Sequence, residues 1–173
     1  DGSSYLYRAF HAVRDLTAPD GTPSNAVFGF VNMLKKLRQN TEADYIACVF
    51  DAKGKTFRDD IYAPYKAQRP PMPDDLRVQI EPIHQAVAAF GIPILMVDGV
   101  EADDVMGTLA REASRQGMVS IMSTGDKDMA QLVDEYARIE NSMTNEVLDR
   151  DGVFAKFNGW PEQIVDFLAL MGD

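Results

Sequence analysis

A single cysteine, Cys48, rules out an intrachain disulfide, and its place in the apolar run 45–50 marks it as a small buried hydrophobe of a reducing compartment. Histidine is almost as scarce: His11 and His84 are the only two, so a zinc centre of the usual kind is excluded. No apolar run approaches ~20 residues, which excludes a membrane-spanning helix. The sequence has no Walker loop, no GxGxxG fingerprint and no serine elbow, so the common nucleotide-binding and serine-hydrolase arrangements are missing. Basic residues are also in deficit. Seventeen Lys and Arg stand against 27 Asp and Glu, a formal charge of -10 and the wrong sign for gripping nucleic acid by bulk electrostatics. An initiator Met and a signal peptide are missing too, and an opening on Asp1-Gly2 implies that the true start, with a first strand, lies upstream.

What is present is a chain of 173 residues, 46% hydrophobic, which suits one domain with one core rather than two. Periodicity predicts helices over 3–11 and 26–37, the second with a stripe of Phe30, Val31, Leu34 and Leu37 and Met33 beside it. The run 45–50 has the length of a buried parallel strand and ends in Asp51. Asp74 or Asp75 can cap a helix running to about Phe90 and closed by Gly91. Strands are then expected at 92–97, 119–122, 136–140 and 144–148. Helices are expected at 101–116, near Asp128, from Asp149 or Arg150 to Phe157, and over 162–171, the last led by Pro161. Strands alternating with helices make an α/β fold with a mostly parallel central sheet flanked by helices.

Between 53 and 77 the composition changes. Lys53, Lys55, Arg58, Lys66, Arg69 and Arg77 are interleaved with Phe57, Tyr62 and Tyr65 and followed by Pro70-Pro71-Met72-Pro73, which bars a regular helix there. Basic and aromatic side chains together are what a phosphate-contacting, base-stacking surface uses. A solvated charged loop is the plainer alternative. A proline-rich basic segment is expected to be mobile until substrate supplies contacts.

The carboxylates carry the strongest signal. In a parallel sheet, ligands bind beyond the carboxyl ends of the strands. Asp51 follows one strand directly, Glu101 follows another after Asp98-Gly99-Val100, and Asp126 follows a third after Ser123-Thr124-Gly125. Asp1 opens the chain ahead of a helix. One such Asp is ordinarily a cap or turn residue. Four on one rim, with Asp103, Asp104 and Asp128 close behind, point to divalent metal. On a helix beginning near Glu101, that residue and Asp104 share a face, while Asp103 is turned away by roughly 200°. Asp126 and Asp128 flank Lys127 in a tight turn. Oxygen-only ligands select Mg²⁺ or Mn²⁺, and two such ions can drive an in-line displacement at phosphorus. Gly2-Ser3-Ser4 imitates a phosphate turn only weakly.

Six stretches give these residues a family likeness. They are Asp1-Gly-Ser-Ser-Tyr-Leu-Tyr-Arg-Ala, Val49-Phe-Asp-Ala-Lys-Gly-Lys-Thr-Phe-Arg58, Tyr65-Lys-Ala-Gln-Arg-Pro-Pro-Met-Pro-Asp-Asp-Leu-Arg77, Gly99-Val-Glu-Ala-Asp-Asp104, Ser123-Thr-Gly-Asp-Lys-Asp-Met129 and Phe167-Leu-Ala-Leu-Met-Gly-Asp173. In these the chain resembles the flap endonuclease family, in the form of the 5'-nuclease domains found at the N-terminus of bacterial DNA polymerase I. The resemblance implies a PIN-like core and a structure-specific 5'-3' exonuclease and flap endonuclease that works in replication and repair. Its substrates would be DNA with a 5' flap or nick and RNA-DNA primer junctions. It further implies a monomer in the bacterial cytoplasm, associated with the nucleoid and not with membrane.

The same resemblance implies two or more Mg²⁺ or Mn²⁺ ions. One set of ligands would be Asp1, Asp51, Glu101, Asp103 and Asp104, and a second Asp126, Asp128 and Asp173 with one further aspartate. Lys66 and Arg58 would hold the scissile phosphate from an arch over 53–77, joining Asp51 and Asp126 as the catalytic residues. Tyr65 and Arg69 of the arch, and Arg8, would also contact DNA. The family continues past Asp173 into a helix-hairpin-helix type element with a potassium site. Without these, residues 1–173 are expected to form an incomplete nuclease domain that binds Mg²⁺ or Mn²⁺ weakly and cuts poorly. Rivals are a catalytically silent DNA-binding fragment, a PIN-like ribonuclease and, less suited to the basic aromatic stretch, a metal-dependent phosphatase.

Overall fold

In the computed structural model of the chain, residues 1–14 and 16–171 are described. They fall into two compact units, Gly2–Ala102 and Asp1 with Asp103–Asp173.

The unit Gly2–Ala102 is built on two helices, α1 (Gly2–Ala12) and α2 (Asn25–Asn40). Tyr5, Leu6 and Ala9 of α1 are buried, as are Ala26, Phe30, Met33 and Leu34 of α2. The stripe on α2 is therefore turned toward Met33, with Val31 and Leu37 only half-buried. A Cβ at Gly29 would stand 3.0 Å from the Ala9 Cβ, so the backbones meet where side chains are smallest. Strand β1 (Cys48–Val49) pairs in parallel with β2 (Ile94–Leu95), Cys48 opposite Ile94. Both strands are shorter than the apolar runs that contain them, because Tyr45 is 83% exposed and Met96 and Val97 are about half exposed.

Between them lie α3 (Phe57–Ile61), α4 (Asp74–Arg77) and α5 (Ile80–Ala89), the last ended by Gly91 at φ +72°. The single helix expected from Asp74 to Phe90 is broken near Val78. Pro82 has no N–H to give the Val78 carbonyl, while it is tolerated in the first turn of α5.

The break frees Gln79, which is 1% exposed and ties this unit together. Its Oε1 accepts the N–H groups of Ala26 (2.8 Å) and Val27 (3.1 Å). Its Nε2 donates to Asn25 Oδ1 and to the Asp75 carbonyl, both at 2.8 Å. Asn25 in turn donates to the carbonyls of Phe10 (2.9 Å) and Val13 (2.8 Å). The N-terminus of α2 is thus capped from 53 residues away, since Ser24 makes no side-chain cap. Gln79→Leu strands two buried N–H groups and is expected to destabilise the unit by about 3 kcal/mol. Denaturant melting that shows less than about 1 kcal/mol would assign the capping elsewhere.

His84 packs edge-on against Phe50 with ring centroids 4.5 Å apart, and its Nε2 is buried with no hydrogen-bond partner among the described residues. Burial pushes its pKa below the ordinary histidine value, against a smaller upward pull from Glu81. Below that ordinary value the unfolded chain therefore binds more protons than the folded one. His84 makes stability complete at neutral pH and lets it fall as pH drops. His84→Phe is expected to flatten the loss of melting temperature between about pH 7.5 and 5.5. An unchanged slope would show that His84 takes up its proton as readily in the folded protein as in the unfolded chain.

The second unit carries α6 (Ala102–Arg115), which starts at the end of the first unit and is followed by Gly117 at φ +69°. Strand β3 (Ser120–Met122) pairs in parallel with β4 (Ala137–Asn141), and β4 pairs antiparallel with β5 (Glu146–Leu148). The crossover from β3 to β4 is a 3-10 helix, Lys127–Leu132, which buries Met129 and Ala130. Asp149 caps α7 (Arg150–Phe157) by accepting from Gly152 N at 2.8 Å. Pro161 opens a 3-10 turn that leads into α8 (Ile164–Met171). Strands and helices alternate as expected of an α/β chain, and the two parallel pairs hold with one antiparallel strand added. No helix among the described residues is long and apolar enough to cross a membrane.

Candidate functional site

In the unit Gly2–Ala102, Asp51 lies two residues past β1. Its amide N–H donates to Ser3 Oγ at 2.9 Å, and its Oδ1 accepts the Ala102 N–H at 2.8 Å. The Asp51 carboxylate thus caps the start of α6 while its second oxygen has no donor among the described residues. Gly2 is needed for this approach: a Cβ there would fall 2.6 Å from the Phe50 ring, beside Asp51. Gly2, Ser3 and Ser4 are helical rather than a phosphate turn, because they open α1. Ser3 acts instead through its hydroxyl on Asp51.

Glu101 directly precedes α6 and gathers the basic segment. Lys66 Nζ stands 2.7 Å from its Oε1, Tyr65 Oη donates to its Oε2 at 3.1 Å, and Arg58 Nη1 stands 3.8 Å from Oε2. The Glu101 side chain is only 13% exposed, whereas Lys66 is 33% exposed. Burial opposes the charge on Lys66, but the hydrogen bonds from Glu101 and Tyr65 outweigh it and lift the ammonium above the ordinary lysine pKa. Lys66 therefore stays cationic throughout the neutral range. Its backbone is left-handed at φ +52°, a strained state for a residue with a Cβ, within a run of turns in which Tyr65, Ala67 and Arg69 bond back three residues.

At the base of the segment, Thr56 and Asp59 form a capping box for α3, and Phe57 N–H bonds the Gly99 carbonyl at 3.0 Å. The segment 53–77 is thus made of short helices and hydrogen-bonded turns. Arg58 also lies over the Phe57 ring at 4.6 Å, Arg69 is exposed, and Arg8 is half-buried on α1.

In the second unit the carboxylates are arranged by a threonine. Thr124, 1% exposed, donates its hydroxyl to Asp1 Oδ2 at 2.7 Å and accepts the Asp126 N–H at 3.1 Å. Asp1 N donates to the Ser123 carbonyl at 3.1 Å. Asp126 caps the 3-10 helix by accepting the Asp128 N–H at 2.9 Å. Asp103 and Asp104 occupy the first turn of α6, where the helix dipole favours negative charge. Asp173 lies outside the described residues.

Among the described residues no three His, Cys, Asp or Glu side chains stand close enough together to hold a metal ion. Like charges repel, and Asp51, Glu101, Asp1 and Asp126 each have donors of their own. The ligand atoms they offer are carboxylate oxygens, hard donors of the kind that divalent cations take. Thr124 and Ser3 were not legible as site residues. The only hint was that Thr124 sits inside the Ser-Thr-Gly-Asp stretch after a strand. A hollow of about 540 Å³ bordered by Asp134, Arg150, Trp160 and Glu162 contains none of the candidate site residues.

The sequence matches the family model of the 5'-3' exonuclease, N-terminal resolvase-like domain, over residues 1–158. The chain belongs to this family. DNA polymerase I of Pseudomonas aeruginosa is 60% identical across all 173 residues, and the match covers 19% of that protein. A 5'-3' exonuclease of Aquifex aeolicus is 44% identical across the whole chain, which covers 60% of its length. The chain thus spans less than two thirds of the length of these curated relatives. Among solved structures, T5 5'-exonuclease with zinc bound superposes with a TM-score of 0.74 at 20% identity. That superposition covers all of this chain and 65% of the other. A T5 flap endonuclease complex with DNA and metal ions gives 0.71 at 19%, with the same coverage. These likenesses establish the PIN-like α/β core of the 5'-nuclease fold.

Proposed function

We propose that this chain is the metal-dependent phosphodiesterase part of a 5'-3' exonuclease and flap endonuclease, acting on 5'-flapped or nicked DNA and on RNA-DNA primer junctions. The observation that carries this reading is the convergence of Lys66, Tyr65 and Arg58 on Glu101. Basic donors of the kind that hold a phosphate are folded onto a carboxylate of the kind that holds a cation. Support comes from the 5'-3' exonuclease family itself and from relatives crystallised with divalent ions and DNA.

The carboxylates that would hold Mg²⁺ or Mn²⁺ are Asp51 and Glu101 in one unit and Asp1, Asp103, Asp104, Asp126 and Asp128 in the other, with Asp173. When bound, two such ions would supply an activated water and stabilisation of the leaving oxygen in an in-line displacement. The protein's own part is electrostatic and positional. Lys66 and Arg58 present fixed positive charge to the non-bridging oxygens of the scissile phosphate as charge builds there. Tyr65 and Ala102 N–H orient the carboxylates of Glu101 and Asp51 through hydrogen bonds. Arg69 and Arg8 add backbone contacts that position a strand without reading its sequence. Residues 1–173 belong to the nuclease domain, with about 53–77 as its arch.

Cleavage of 5'-flapped DNA, nicked duplex and single-stranded RNA, each with Mg²⁺ and with EDTA, tests the proposal. It predicts metal-dependent cutting of the first two. Preference for the RNA would favour a PIN-like ribonuclease, and binding without cutting would favour a silent DNA-binding module.

A further inference from the structure

In the second unit the Thr124 hydroxyl joins two of the candidate ligand residues. Its single proton is committed to Asp1 Oδ2 at 2.7 Å, and its lone pair receives the Asp126 N–H at 3.1 Å. The chain of bonds has one direction: Asp128 N–H to Asp126 Oδ1, Asp126 N–H to Thr124 Oγ1, and Thr124 O–H to Asp1 Oδ2. At 1% exposure, Thr124 shares these bonds with no bulk water, so the geometry is fixed by the protein alone. The resemblance assigns Asp1 to one metal set and Asp126 with Asp128 to the other.

We infer that Thr124 is a positioning residue that orients the Asp1 carboxylate and the Asp126–Asp128 turn together, so that the two ligand groups keep one spacing. This rests on the reading that those carboxylates hold divalent cations. A hydroxyl is required because it must give a proton to a carboxylate and take one bond from an amide at once. Valine has the shape and neither capacity. Serine has both capacities and lacks one methyl. The partners that orient metal ligands affect metal affinity by about 10- to 100-fold.

The test is Mn²⁺ titration of the purified protein, read by electron paramagnetic resonance of free Mn²⁺, on wild type, Thr124→Val, Thr124→Ser and Asp126→Ala, with a melt of each. Thr124→Val is expected to weaken Mn²⁺ binding at least about 10-fold, and Thr124→Ser to stay within about 3-fold of wild type. If the valine protein does not fold, Thr124→Ala against Thr124→Ser gives the same comparison. Valine and wild-type proteins of equal affinity, or a serine protein as weak as valine, would overturn the inference while Asp126→Ala still weakens binding. No Mn²⁺ binding by wild type, or none lost in Asp126→Ala, would instead overturn the metal reading beneath it.

Discussion

Alanine at Asp51 or at Asp126 is expected to lower Mg²⁺-dependent cleavage of a 5'-flapped duplex by on the order of 10³-fold, with little change in melting. Each carboxylate is held the same way. One oxygen accepts a backbone N–H, from Ala102 for Asp51 and from Asp128 for Asp126, and the other has no donor among the described residues. A carboxylate aimed by one bond, with a second oxygen to spare, is placed to bind a cation rather than to hold the fold. Asp51 is exposed and Asp126 half-buried, so losing either costs a cap worth about 1 kcal/mol and no core packing. Asparagine keeps the cap and removes the charge. Asp51→Asn and Asp126→Asn should therefore melt like wild type and still fail to cut. Single-turnover cleavage beside thermal melts checks this, and an asparagine protein within tenfold of wild type would show that the charge has no part in the reaction.

Lys66→Ala should lower turnover at saturating flap substrate by about 10² to 10³-fold, the scale set by removing one fixed donor from a developing negative charge. Its effect on folding should be small. The Lys66 pairing with Glu101 is a third exposed on the lysine side, and such pairs contribute about 1 kcal/mol or less. Lys66→Arg keeps the charge but spreads it over a planar fork, so partial recovery is expected. Because the pairing with Glu101 keeps Lys66 charged well above neutrality, the pH profile of cleavage should show no lysine titration near neutral pH. Unchanged turnover in the alanine protein would remove Lys66 from the reaction and leave it as a structural partner of Glu101.

Helices were easier to read from sequence than strands. The runs 3–11, 26–37 and 101–116 lie within three residues of α1, α2 and α6, because apolar periodicity is a local signal and Gly117 closes the third run. Strand lengths were overread because apolar composition does not distinguish a paired residue from an exposed one: Tyr45 is largely exposed, and Met96 and Val97 are about half exposed. The break at Val78 was written in Pro82 but masked by the strong apolar pattern around it. Asp51 and Asp126 stood out as candidates because each comes shortly after a strand, and Arg58 and Lys66 because basic residues concentrate in 53–77. The bond from Thr124 to Asp1 spans 123 positions, and the cap from Gln79 to Ala26 spans 53. No spacing rule reaches that far.

The central claim is that these carboxylates hold divalent cations. Anomalous scattering from crystals soaked in Mn²⁺, with and without flapped DNA, tests it most directly. The prediction is anomalous peaks at coordination distance from Asp51 and from Asp126, gained or strengthened with DNA, and absent in Asp51→Asn and Asp126→Asn crystals. The same maps would show whether Asp173 joins them. Saturating Mn²⁺ with no peak beside either carboxylate, in crystals of a protein that still cuts, would contradict the account.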